Sequence, residues 1–283
     1  MIEIENEKFR AEIRLQGAEL ASLKVKASDR ELIWQADPNI WSGSAPILFP
    51  IIGKLKNDTT RINGTKYNIP KHGLLHTREA SLVEQGNNRV VLQFKPDDES
   101  LKAYPFHFSF DVEFQLLENG LDVNYLIKNE GIDPMLFSVG SHPAFALNLE
   151  KYALSDYSIE FSDTETLDLY GLEDLLLVKR EDGYLRNKST IPLSETIFEN
   201  DALIFQNIKS RTIGLEPMGI EVDIRNNPHL GIWAKPGAPF VCIEPWYSFD
   251  DTADSEGCFE NKPGIMNLLP DETFETGYSV SIR

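Results

Sequence analysis

The chain has 283 residues, 41% of them hydrophobic and 25% charged, values that suit a globular protein with a full core. Its 45 acidic residues against 27 basic ones give a formal charge of -18, which repels phosphate backbones and anionic bilayers. Nucleic acid and membrane are therefore excluded as expected partners. A small ligand is not, even one carrying a phosphate, because local lysines outweigh a screened global field.

From the N-terminus, Met1 to Arg10 alternates apolar and acidic residues and lacks the apolar core of a signal peptide. Short strands are predicted near residues 8–15, 19–26 and 89–95. Between them, Pro46 to Lys54 is an apolar run bounded by proline and glycine, and it ends in a cation. The segment Ile69 to Arg78 carries His72 and His76, but Pro70 and Gly73 argue against a helix that would set both on one face. Asp97 to Ala103 is predicted to make about two helical turns before Pro105 stops them.

The clearest period-two signal follows. Phe106, Phe108, Phe110, Val112, Phe114 and Leu116 point one way, and His107, Ser109, Asp111, Glu113 and Gln115 the other. Asn119-Gly120 then announces a turn into Leu121, Val123, Tyr125 and Ile127, which predicts a hairpin with one buried and one wet face. Residues 163–200 are acidic and read as loop-rich. Met218 to Arg225, residues 229–234 and Phe274 to Arg283 complete the predicted strands, with His229 read as part of a turn after Asn226-Asn227-Pro228. No 20–50-residue period and no linker divides the chain, so a single all-β domain over 1–283, a large antiparallel β-sandwich or barrel, is expected.

Two positions differ in character from this amphipathic background. His142 interrupts the apolar, small-residue strand Met135 to Leu147, and Glu244 follows the apolar run Phe240 to Ile243. Each precedes a proline, which favours extended backbone and predicts both side chains at strand ends. A carboxylate beside a core must be paired, hydrogen-bonded or shifted in pKa, a condition common at working sites and in structural networks alike. The plain alternatives are a strand-end glutamate bridged to a lysine and a core histidine satisfied by a carbonyl. Trp246 either stacks on a sugar face or packs in the core. A metal held by His72, His76, His142 and Glu244 is conceivable, but no compact ligand spacing is present and no metal is expected. No glycine-rich phosphate loop, G-x-S-x-G elbow or H-E-x-x-H occurs, and His107 and His229 receive no role. Cys242 and Cys258, the only cysteines, are unpatterned and point to a reducing, cytoplasmic setting.

Taken in order, Leu48-Phe49-Pro50 with Gly53-Lys54, Lys71-His72-Gly73, Ser141-His142-Pro143-Ala144-Phe145, Asn200 to Phe205, and Cys242-Ile243-Glu244-Pro245-Trp246 resemble the aldose 1-epimerase family, in particular its bacterial LacX-related branch. The resemblance covers essentially the whole chain. It implies a galactose mutarotase-like β-sandwich with an open sugar cleft and no cofactor. It assigns Glu244 to deprotonation of the anomeric hydroxyl, His142 to protonation of the ring oxygen, and His72 and Asp201 to substrate binding. Lys54 stands where the family's better studied members carry arginine, a point charge in place of a two-pronged fork. This scheme asks for Glu244 ionised and His142 protonated in the free enzyme. Three rivals are a hexose-6-phosphate 1-epimerase using Lys54, Lys71 and Arg78, a carbohydrate-binding module without turnover, and a glycoside hydrolase pairing Glu244 with Asp201. A monomer or homodimer acting on a small-molecule sugar is expected.

Overall fold

Alternating hydrophobicity dictates the architecture: a computed structural model, describing residues 1–283, consists mainly of antiparallel strands. At the N-terminus, β1 (Ile2–Glu5), β2 (Phe9–Arg14), β3 (Glu19–Val25) and β4 (Arg30–Glu31) form a four-stranded sheet in that order. The chain continues through β5 (Ile47–Leu48), the hairpin β6 (Thr59–Ile62) and β7 (Thr65–Asn68), then β8 (Ser81–Gln85) and β9 (Arg89–Phe94). After one helix come β10 (Phe108–Leu116), β11 (Gly120–Asn129), β12 (Met135–Phe137), β13 (Gly140–Ser141) and β14 (Ala144–Ala146). The remaining strands are β15 (Ser158–Glu173), β16 (Leu176–Pro192), β17 (Leu203–Gln206), β18 (Thr212–Glu216), β19 (Ile220–Asp223), β20 (His229–Trp233), β21 (Phe240–Trp246), β22 (Met266–Leu268) and β23 (Thr273–Ile282).

Fifteen of these strands share one sheet, in the order β5-β13-β21-β20-β17-β15-β18-β19-β23-β11-β10-β9-β8, with β14 also on β21 and β16 on β15. The sandwich encloses a core of 68 buried residues running from Ile2 to Val280. The predicted hairpin is present: Phe110 faces Ile127, Val112 faces Tyr125 and Phe114 faces Val123. Those side chains are buried, while Asp111, Glu113 and Gln115 on the other face are half-exposed. Each large apolar side chain so buried contributes about 1.5–3 kcal/mol, and a one-residue slip would turn the whole set to water, which fixes the register. The helix α1 (Asp98–Ala103) is likewise where it was expected. Asp97 caps it by accepting from the Ser100 N–H at 2.7 Å, and Ser100 Oγ accepts from the Asp97 N–H at 2.8 Å.

Three expectations are corrected. Residues 163–200 are not loop-rich: most belong to β15 and β16, strands of 16 and 17 residues whose pairing is broken by register shifts between Glu160 and Tyr170. Bulges interrupt strict alternation there and hide the strand signal. Glu244 lies within β21 rather than at its end, because Pro245 continues the strand opposite Leu230. His229 is the buried first residue of β20, with its ring edge-on to Phe249 at 5.1 Å.

Candidate functional site

The β5-β13-β21-β20-β17 end of the large sheet floors a cleft of about 560 Å³. Beneath it lies a small separate apolar cluster of Leu48, Ile52, Leu177, Ala202, Ile204, Trp246 and Phe249. A larger hollow of about 780 Å³, walled by Arg30, Lys151, Tyr152 and Met218, contains none of the candidate residues. The cleft receives His72, His142, Asp201, Glu244 and Trp246, together with Lys71, Trp41 and Asp250.

Glu244 projects from the middle of β21 opposite Gly231 and is 1% exposed. His142 sits between β13 and β14, its backbone N–H donating to the Pro46 carbonyl at 3.1 Å. Its Nε2 lies 3.2 Å from Glu244 Oε2. Aromatic rings hold the imidazole: Trp41 stacks on it at 5.1 Å with 28° between planes, Trp233 meets it edge-on at 5.8 Å, and so does His72 at 5.8 Å. Trp34 Nε1 fixes the Trp41 segment by donating to the Trp41 carbonyl at 2.8 Å.

Glycines make room for the site. A Cβ on Gly231 would stand 2.5 Å from the Trp246 ring, and one on Gly140 would stand 2.6 Å from its Cδ1. The indole therefore lies flat across the β13-β21-β20 floor. Trp246 packs in the apolar cluster and also lines the cleft.

His72 has a left-handed backbone, φ 64°, and its Nδ1 accepts from the Gly53 N–H at 3.3 Å, which leaves Nε2 to carry the hydrogen. Asp201 is also left-handed at φ 71°, and its Oδ1 accepts from the Ala202 N–H at 2.8 Å. Lys54 is not brought into the cleft. Its backbone N–H donates to Asp250 Oδ1 at 2.7 Å, and its Nζ lies 3.6 Å from Asp58. Arg78 is paired with Asp97 away from the site, so Lys71 is the one basic candidate lining the cleft.

Burial sets the electrostatics. It pushes the Glu244 carboxyl well above the ordinary range and the His142 imidazole down to about 3, with Lys71 adding to the fall at the histidine. The same cause lowers His72 and raises Asp250 to about 6, the Lys54 N–H and Lys71 opposing the latter rise. The empty site thus favours a neutral carboxyl beside a neutral imidazole, the reverse of the charge assignment drawn from the sequence. The two assignments contain the same single proton and differ only in whether Oε2 or Nε2 carries it.

Several buried polar atoms of the cleft residues make no hydrogen bond: His76 Nδ1, His142 Nδ1, Trp246 Nε1 and Glu244 Oε2, the last with His142 Nε2 as its near neighbour. Such groups are costly unless a ligand or water satisfies them, and here all four belong to residues that line one hollow. Sequence reasoning missed Trp41 and Asp250. Trp41 lies in an irregular stretch, and Asp250 follows β21 in a run with no periodicity.

The aldose 1-epimerase family profile matches residues 1–274. The plasmid-borne protein LacX of Lactococcus lactis subsp. lactis is 32% identical over 298 aligned residues, covering 99% of each chain. Two solved structures align over 100% of this chain with a TM-score of 0.93. One is a galactose mutarotase related enzyme of Lactobacillus acidophilus, 31% identical with 97% of that chain covered, and the other a galactose mutarotase-like protein of Lactobacillus casei, 30% identical with 100% covered.

Proposed function

The chain belongs to the aldose 1-epimerase family, and from that premise we propose that this isomerase interconverts the α and β anomers of an unphosphorylated aldohexose, with Glu244 and His142 moving the protons. The observation that carries the reading is the 3.2 Å approach of His142 Nε2 to Glu244 Oε2 inside the cleft.

In the proposed cycle the pair's one proton resides on Nε2. Glu244 takes the proton of the anomeric O1–H, and that bond's electrons form the C1=O1 double bond. The C1–O5 bond breaks with its electrons on O5, which accepts the proton of His142 Nε2. Rotation about C1–C2 presents the other face of the aldehyde. Closure reverses each transfer, His142 regaining its proton from O5–H and Glu244 returning one to O1. The cycle is neutral in protons and electrons. Acid–base assistance of this kind is worth about 10²–10⁴-fold. His72 Nε2–H, Trp246 Nε1–H, Asp201 and Asp250 are the proposed partners of the sugar hydroxyls.

The lining favours a neutral sugar. Asp201 and Asp250 stand with one lysine, Lys71, in the lining, and Glu19 is already paired with Arg14 at 2.9 Å, which leaves little attraction for a phosphate dianion. The core spanning Ile2 to Val280 supports a single domain over 1–283. No helix is long and apolar enough to cross a membrane. The free thiols of Cys242 and Cys258 support a cytoplasmic setting, and a monomer or homodimer is proposed.

Two-dimensional exchange NMR on equilibrated glucose, galactose and glucose 6-phosphate tests the proposal. Accelerated α/β exchange with wild type, lost in Glu244→Gln, is expected. Binding shifts without acceleration on any sugar would replace it with a carbohydrate-binding role.

A further inference from the structure

The pleat of β21 sets Cys242 two residues before Glu244 on the same face, and Ala144, two residues after His142, pairs with Cys242 across β14. One nitrogen, one sulfur and one oxygen donor are thereby gathered so that the ligand atoms of His142, Cys242 and Glu244 all lie within 4.8 Å of one another. Cys242 is fully buried, and the proton-transfer scheme gives it no work. Glu244 Oε2 makes no hydrogen bond, its near neighbour being His142 Nε2 at 3.2 Å.

We propose that His142, Cys242 and Glu244 form a three-ligand site for zinc, and that a bound cation shuts down the acid–base pair from beneath the cleft. The inhibition rests on the mutarotase reading; the metal site does not.

Tetrahedral zinc with nitrogen, oxygen and sulfur ligands has ligand–ligand edges of about 3.3–3.6 Å. The His142–Glu244 separation of 3.2 Å is close to such an edge, and the sulfur needs to close by at most about 1.5 Å from the 4.8 Å limit. Thiolate and imidazole favour zinc over magnesium or calcium, which take oxygen. One thiolate and one carboxylate neutralise the divalent charge, so the buried complex is formally uncharged. Of the three, His142 and Glu244 line the cleft.

Binding releases the Cys242 thiol proton and leaves neither Glu244 nor His142 free to exchange one. Affinity therefore rises with pH. His142 Nδ1 has no hydrogen-bond partner to brace the ring, which suits a reversible site rather than a permanent structural one.

The test has two arms. Metal-free protein is titrated with cobalt(II), which reports a thiolate ligand by near-ultraviolet charge-transfer absorption and tetrahedral geometry by intense visible bands. Both are expected in wild type, with displacement by zinc and loss of the thiolate band in Cys242→Ser, or in Cys242→Ala should serine unfold the strand. No such bands at saturating cobalt would overturn the site even if the protein has no activity on any sugar. In the second arm, zinc is added to the sugar-exchange assay and then removed with a chelator. Wild type is expected to lose and regain activity, whereas the Cys242 variant keeps its metal-free rate and needs about 10–100-fold more zinc, at least the cost of losing a ligand's supporting bond. Equal zinc sensitivity of variant and wild type would overturn the role of the thiol.

Discussion

The Trp41 indole lies face to face with the His142 imidazole, 5.1 Å away and tilted by 28°. An aromatic face stabilises a cation above it, so this contact favours the protonated imidazole that the proposed reaction uses and that burial opposes. Such contacts are worth about 0.5–2 kcal/mol, or roughly 2–30-fold in rate. Trp41→Ala is expected to lower kcat by that amount and shift the acid limb of the rate profile downwards, while Trp41→Phe restores much of both. An unchanged pH profile in Trp41→Ala would reduce the residue to a wall of the cleft.

Glu244→Gln and His142→Asn are each expected to lose about 10²–10⁴-fold in exchange rate while remaining folded by circular dichroism. Wild-type rates from either folded variant would remove that residue from the mechanism.

The pH profile follows from the one proton the pair must hold. Activity is expected to fall in acid as a second proton binds, with His142 held near 3, and in alkali as Glu244, raised above the carboxylate range, gives up the last one. For stability the histidine's sign is opposite to that of a paired one. Its folded pKa of about 3 is depressed, so the unfolded chain binds more protons and stability is lost as pH falls from about 6.5 towards 3. His142→Asn should therefore resist acid unfolding better than wild type, as followed by thermal melts at pH 4 and pH 7.

Asp250 offers a test of the opposite sign. Its pKa is raised to about 6, so its contribution to stability is present below about 3.9 and lost as pH rises through 6. Asp250→Asn is expected to melt higher than wild type at pH 8 and no higher at pH 4. Its kcat/KM should fall about 10–100-fold if the carboxylate accepts from a sugar hydroxyl. Gly53→Ala is expected to copy that loss, because a Cβ there would overlap the Asp250 carboxylate. Normal kinetics in both variants would exclude Asp250 from the cleft's binding groups.

Glucose 6-phosphate is expected to be a poorer substrate than glucose, with a higher KM that falls when salt screens the acidic lining. Lys71→Ala should leave glucose turnover within a few-fold while worsening the phosphosugar further. A lower KM for glucose 6-phosphate would identify Lys71 as a phosphate ligand and change the substrate class.

Legibility in the sequence tracked physical locality. The β10–β11 hairpin was readable because its buried and wet positions alternate without interruption. The helix at Asp98 was readable because its capping residues are neighbours in the chain. His142 and Glu244 stood out as polar residues amid apolar ones, a contrast that needs no third dimension. Lys54 misled because an ordered motif says where the backbone passes, not where a long side chain turns, and this one turns to Asp58. Trp41 and Asp250 stayed hidden because their importance comes from what the fold brings beside them. The β15–β16 hairpin stayed hidden because each register shift resets the alternation on which a strand prediction depends.

That hairpin divides the labour of the molecule. Its β15 pairs with β18 from Ser158 to Phe161 and with β17 at Tyr170, and its far end sets Leu172 in the cleft wall and pairs Leu177 with Thr252. The proposed proton-transfer pair, by contrast, stands on the floor, Glu244 on β21 and His142 between β13 and β14. Insertions at the turn between β15 and β16 reshape the wall beside Leu172, while the strands that carry His142 and Glu244 pair with other neighbours. Descendants of this chain can therefore change diet while keeping their chemistry, by editing the far turn of one hairpin whose base stays woven into the sheet.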